Sequence, residues 1–71
     1  MELSKRQQDV YDCIDRYRKK NGISPSMADI AKELGLARTT INSYVDLLII
    51  KGRVSKLSGI PRSLKTIKPA V

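Results

Sequence analysis

The sequence predicts a mainly α domain with a small β-hairpin: three helices followed by a two-stranded wing. Apolar residues recur at helical spacing in three consecutive segments, each bounded by capping or turn residues. A turn-rich SGIP follows, flanked by spaced apolar residues that read as short strands. The length of 71 residues leaves room for one domain, 1–71, and one small core.

SKRQQDVYDCIDRYRKKNG carries the first helix, expected over about 5–20. Ser4 and Gln7 have capping-box spacing, in which each side chain satisfies a backbone N–H that the first turn leaves unpaired. Val10, Ile14 and Tyr17 form its apolar stripe with Cys13 beside it, and Asn21 and Gly22 supply a stop. Asp12 with Arg16, and Asp15 with Lys19, are expected as i to i+4 pairs on the outer face.

ISPSMADIAKELG gives the second helix, 27–34, because Pro25 disfavours helix before it, Ser26 can cap, and Asp29 stands at the capping-box position. Met27, Ile30, Ala31 and Leu34 make its buried stripe, and Gly35 tolerates the positive φ of a tight turn. The third helix, about 38–51, projects Ile41, Val45 and Leu48 to one side with Tyr44 and Ile49 at the margins. Thr39, Asn42, Ser43 and Asp46 fall on the opposite side, flanked by Thr40 and Leu47. GRVSKLSGIPRSLKTIKPAV then reads as a hairpin over about 53–68, with Val54, Leu57, Leu64 and Ile67 as its apolar positions.

Fourteen Lys and Arg against seven Asp and Glu give a net charge of +7, which points to an anionic partner. From Leu47 onward there are six basic residues and no acidic one, so the C-terminal end is a positive pole. A single Cys and no His exclude a disulfide framework and the usual Cys and His metal sets. No cofactor, metal or small-molecule substrate is expected, and nothing assembles a nucleophile, base and oxyanion site, so the chain is not read as an enzyme. No apolar run approaches a membrane span, and no signal-peptide pattern opens the chain, so the expected compartment is the cytoplasm.

Helix, helix, Gly-bearing turn, helix and hairpin is the order of a winged helix-turn-helix domain. The chain also resembles the N-terminal DNA-binding domain of the LexA repressor family. LSKRQQDVYDCI is similar to that family's opening helix, PSMADIAKELGL to its second helix, and KGRVSKLSGIPRSLKTI to its wing. The resemblance implies a repressor of the SOS response that occupies a palindromic operator. The Gly35 to Gly52 spacing is one residue shorter than is usual in that family. The family continues into a dimerising, self-cleaving domain, and that activity is not transferred to these residues.

The candidate DNA-binding residues are Ser26, Arg38, Thr39, Thr40, Asn42, Ser43, Lys56, Ser58, Arg62 and Lys65. The third helix would enter the major groove, where Asn42 matches the N6 and N7 edge of adenine. Thr39, Thr40 and Ser43 would meet bases or phosphates, with methyl groups from the two threonines for thymine, and Arg38 a phosphate or guanine edge. Ser26 caps its helix, and that N-terminus favours phosphate. Lys56, Ser58, Arg62 and Lys65 on the hairpin would add backbone or minor-groove contacts. The bland alternatives are an ordinary solvated helix face and a basic loop kept for solubility.

Cys13 is read as core packing rather than a nucleophile. Double-stranded DNA is thus the expected partner, with a weak homodimer forming on it. The competing readings are a small stand-alone phage or bacterial winged-helix regulator, and a protein-docking module that uses Leu47 and Ile50.

Overall fold

The computed structural model describes residues 3–57, 59–60 and 62–68. Its helices are α1 (Lys5–Asn21), α2 (Met27–Leu34) and α3 (Arg38–Ile50), followed by strands β1 (Val54–Ser55) and β2 (Lys65–Thr66). The fold is a winged helix: three helices and a two-stranded antiparallel hairpin.

Both expected capping boxes are present. The Gln7 amide donates to Ser4 Oγ at 3.3 Å while the Ser4 amide donates to Gln7 Oε1 at 3.0 Å. Asp29 and Ser26 repeat the exchange at 3.1 and 3.0 Å. Between α2 and α3 the chain reverses through Gly35, whose φ of 68° lies in the left-handed region that a Cβ disfavours. That residue lets a short turn bring α3 back against α2.

Val10, Ile14, Ile30, Ile41, Val45, Leu48 and Val54 are almost completely buried, with Tyr11, Cys13, Ala31 and Leu64 joining them. Each such aliphatic contributes about 1.5–3 kcal/mol on burial. Met27, Leu34, Tyr44 and Ile49 pack around the edge. α3 contacts both other helices, so its position is fixed from two sides.

The wing is shorter than its apolar spacing predicts. Val54 pairs with Thr66 and Ser55 with Lys65, and each strand is only two residues long. Leu57, one of the apolar positions expected on the strands, lies beyond the ladder and is 63% exposed, whereas Val54 and Leu64 enter the core. Ile67, also 39% exposed, follows β2 and donates its amide to the Arg53 carbonyl at 2.8 Å. Lys56 is exposed beside Leu57. The leg between Ser55 and Lys65 is held by side chains instead: Ser63 Oγ accepts from the Leu57 amide at 3.0 Å and donates toward the Ile60 carbonyl at 2.8 Å.

The base of the wing is tied to α1. Arg53 lies over the Tyr11 ring, 4.9 Å from its centroid. Tyr11 Oη donates to the Ile67 carbonyl at 3.4 Å, and Thr66 Oγ1 to Asp15 at 3.0 Å. Lys51 Nζ donates to Gln7 Oε1 at 2.7 Å, joining the end of α3 to the start of α1. Of the two expected pairs on α1, Asp15 with Lys19 forms at 2.9 Å. The other partners diverge: Asp12 accepts from Gln8 Nε2 at 2.9 Å, and Arg16 reaches across to Glu33 on α2 at 3.7 Å. Among the described residues, no helix is long and apolar enough to cross a membrane.

Candidate nucleic-acid interface

α3 buries Ile41, Val45 and Leu48 and therefore turns Thr39, Asn42, Ser43 and Asp46 to solvent. Thr40 is half-buried at the margin, which leaves its side chain less free than those of these four. Ser43 Oγ donates to the Thr39 carbonyl at 3.2 Å, so its hydroxyl already has a local partner one turn back. Asn42 is exposed and matches the adenine edge in donor and acceptor count.

Four of the candidates, Ser26, Arg38, Lys56 and Arg62, line one cleft of about 470 Å³ between the starts of α2 and α3 and the wing. Apolar residues share the lining: Pro25, Met27, Leu57, Ile60 and Leu64. Lys65 sits on β2 opposite Ser55 and is exposed, on the wing's second leg rather than at the cleft. Ser58 lies outside the described residues.

The two helix N-termini at this cleft differ. At α2 the Ser26 hydroxyl is engaged as a cap, and Asp29 places a carboxylate in the first turn. α3 starts from Ala37, which makes no side-chain cap hydrogen bond, and has no acidic residue in its first turn. Among the described residues, no side-chain cap bond reaches its leading N–H groups and no first-turn carboxylate offsets the positive end of its dipole, and Arg38 is the first helical residue. This feature escaped the sequence reading, yet it has a signal: an Ala stands where Ser, Thr, Asp or Asn would normally cap.

Asp29 also has a role that its capping position alone did not reveal. Its Oδ2 accepts from Arg62 Nη1 at 2.8 Å, and Arg62 Nη1 also lies 3.4 Å from the Ser24 carbonyl and 3.5 Å from Tyr17 Oη. The Ser26 amide and hydroxyl, with Arg62 behind them, hold the Asp29 carboxyl below its ordinary range. The same contacts to Tyr17 and Asp29 raise the Arg62 guanidinium. Arg62 thus faces the cleft while already paired within the chain.

The basic pole predicted from the sequence is therefore divided. Lys51 and Arg53 are held against α1, Arg62 is paired with Asp29, and Lys56, Lys65 and Lys68 are exposed. Leu47 is 41% exposed and Ile50, at the far end of α3, is 77% exposed. Cys13 is buried and its thiol donates to the Glu33 carboxylate; burial, then that carboxylate, push it up to about 12.

A helix with an exposed polar face, a second helix packed against it and a basic wing define a winged helix-turn-helix DNA-binding domain. Residues 1–63 match the family described as LexA DNA binding domain, and the chain belongs to that family. It is 35% identical over 66 residues to a LexA repressor of Herpetosiphon aurantiacus, a match that covers 92% of this chain and 31% of the relative. A LexA repressor of Pasteurella multocida is 33% identical over the same shares. One from Listeria welshimeri is 34% identical over 68 residues, 94% of this chain and 33% of the relative. The chain spans about a third of the length of these curated relatives.

Proposed function

We propose that this chain is the operator-reading unit of a LexA-like transcription repressor, which silences genes of the SOS response by occupying double-stranded DNA. The observation that carries the reading is the continuity of two surfaces. The exposed polar face of α3 begins at the uncapped, Arg38-bearing N-terminus, which opens directly onto the basic cleft under the wing. The groove-facing residues would be Thr39, Asn42 and Ser43, with Thr40 at the edge. Phosphates flanking the groove would meet the first N–H groups of α3, Arg38, Ser26 at the start of α2, and Lys56 and Lys65 from the wing.

One chain presents one reading helix, so a palindromic operator would take two copies, one per half-site, pairing weakly on the DNA. We assign no enzymatic role to these residues, and the cytoplasm is where such a regulator would act.

Fluorescence-anisotropy titration of a LexA-type operator duplex against a random duplex tests this reading. The operator should bind at least tenfold tighter, and equal affinities would remove the claim of sequence reading. A docking module would draw on Leu47 and the exposed Ile50 instead. Amide shift mapping with duplex DNA separates the two, because docking alone predicts no changes at Arg38, Thr39 and Asn42.

A further inference from the structure

Arg62 differs from the other basic residues of the wing in backbone and in partners. Its φ of 54° is the one left-handed value among the described non-glycine residues. An Arg accepts that conformation when its surroundings determine it. Here they do: Nη1 is fixed at 2.8 Å from Asp29 Oδ2, with the Ser24 carbonyl and Tyr17 Oη beyond it. The same Asp29 oxygen accepts from the Ser26 amide at 3.0 Å, so one carboxylate joins the capping box of α2 to the wing.

Two residues further on, the Leu64 amide donates to Ser24 Oγ at 3.0 Å, a second tether on the same leg. Ser24 Oγ is itself oriented by donating to the Pro25 carbonyl at 2.9 Å. With only a two-residue ladder between the strands, these tethers set where the wing stands over α3.

We propose that Arg62 is a positioning residue for DNA binding: through Asp29 it latches the wing to the start of α2, fixing the spacing between wing and α3 instead of contacting phosphate. The proposal rests on the DNA-reading function above. Its physical logic is that Nη1 of Arg62 is already taken by a carboxylate at 2.8 Å, which lowers the net positive charge this position presents to a phosphate. A rigid wing, by contrast, removes the ordering cost of bringing two DNA-contacting surfaces to one duplex. The pair is part-exposed, so its consequence is chiefly geometric and global stability changes little.

The test uses R62Q, D29N and the double variant of the whole chain. Their binding to a duplex selected by the unaltered chain from a random pool is titrated at several KCl concentrations, alongside amide hydrogen exchange without DNA. The latch predicts that each single variant loses roughly two- to fivefold in affinity, with the log-log salt slope unchanged, and that the double variant is no worse than either single. It also predicts faster exchange at Leu64 in both singles, while the interior amides of α1 and α3 keep their protection, which separates release of the wing from unfolding.

Three results would overturn it: a salt slope reduced by about 0.9 in R62Q, the signature of one lost phosphate contact; tighter binding by D29N, as expected if Asp29 merely repels DNA; or Leu64 exchange unchanged in both variants. If the unaltered chain selects no duplex, the DNA-reading function fails. The exchange measurement still decides whether Arg62 holds the wing.

Discussion

At the scale of single residues, burial and local partners decide which polar groups are free to act. Cys13 illustrates the buried case: its thiol, raised to about 12, is protonated at neutral pH and enclosed in the core. The folded chain should therefore resist alkylation by iodoacetamide and react fully once unfolded in urea, as mass spectrometry would record; rapid labelling of the folded chain would place the thiol at the surface. Asn42 illustrates the free case. Asn42→Ala should weaken binding to the preferred operator by about 1–3 kcal/mol while leaving random duplex unaffected, since only base contacts carry sequence. Equal loss on both duplexes would reduce Asn42 to a backbone contact. The packing role of Cys13 was legible because the apolar stripe of α1 runs beside it. The Arg62 to Asp29 pair was not, since 33 residues separate its members and no local period links them.

At the scale of elements, caps and periodicity carry most of the information. Both capping boxes and the split of α3 into a buried and an exposed face follow from residue spacing, because a helix imposes its geometry locally. The wing follows less well: its ladder is two residues long, and tertiary tethers, not alternation, decide that Leu57 faces out while Leu64 faces in. Ser26→Ala removes the α2 cap and should cost about 1 kcal/mol in urea unfolding. The caps and tethers also make acid a test of these elements. Asp29 is lowered from its ordinary value of 3.8 mainly by the Ser26 amide, and Asp15 by Lys19 and then Thr66. Carboxylates whose folded values lie below the unfolded one contribute stability that is fully present above about 3.8 and disappears as pH falls through the folded values. The urea midpoint should hold from neutrality to roughly pH 4.5 and then decline. The decline should be shallower in a D15N/D29N double variant, and an identical decline would assign the acid response to other carboxylates.

For the whole molecule, the governing property is where the net charge of +7 stands once internal partners are subtracted. The total was legible from composition. So was the basic C-terminal pole, but which of its cations are already engaged was not, because folding alone reveals that Lys51 and Arg53 are held against α1 and Arg62 against Asp29. Arg38, Lys56, Lys65 and Lys68 remain as exposed cations at the start of α3 and along the wing, an arrangement suited to flanking a groove that receives α3. If these residues meet phosphate, log Kd should rise with log salt by about 0.9 per contact, or roughly 3.6 for each bound chain and twice that for a pair on a palindrome. Titration across a range of KCl concentrations, repeated with K56Q, checks both the total and its assignment, since that variant should lower the slope by about 0.9 per chain. A slope near zero would mean that DNA does not lie against the wing and the start of α3. A slope unaffected by K56Q would move the phosphate path away from the cleft while leaving the reading helix in place.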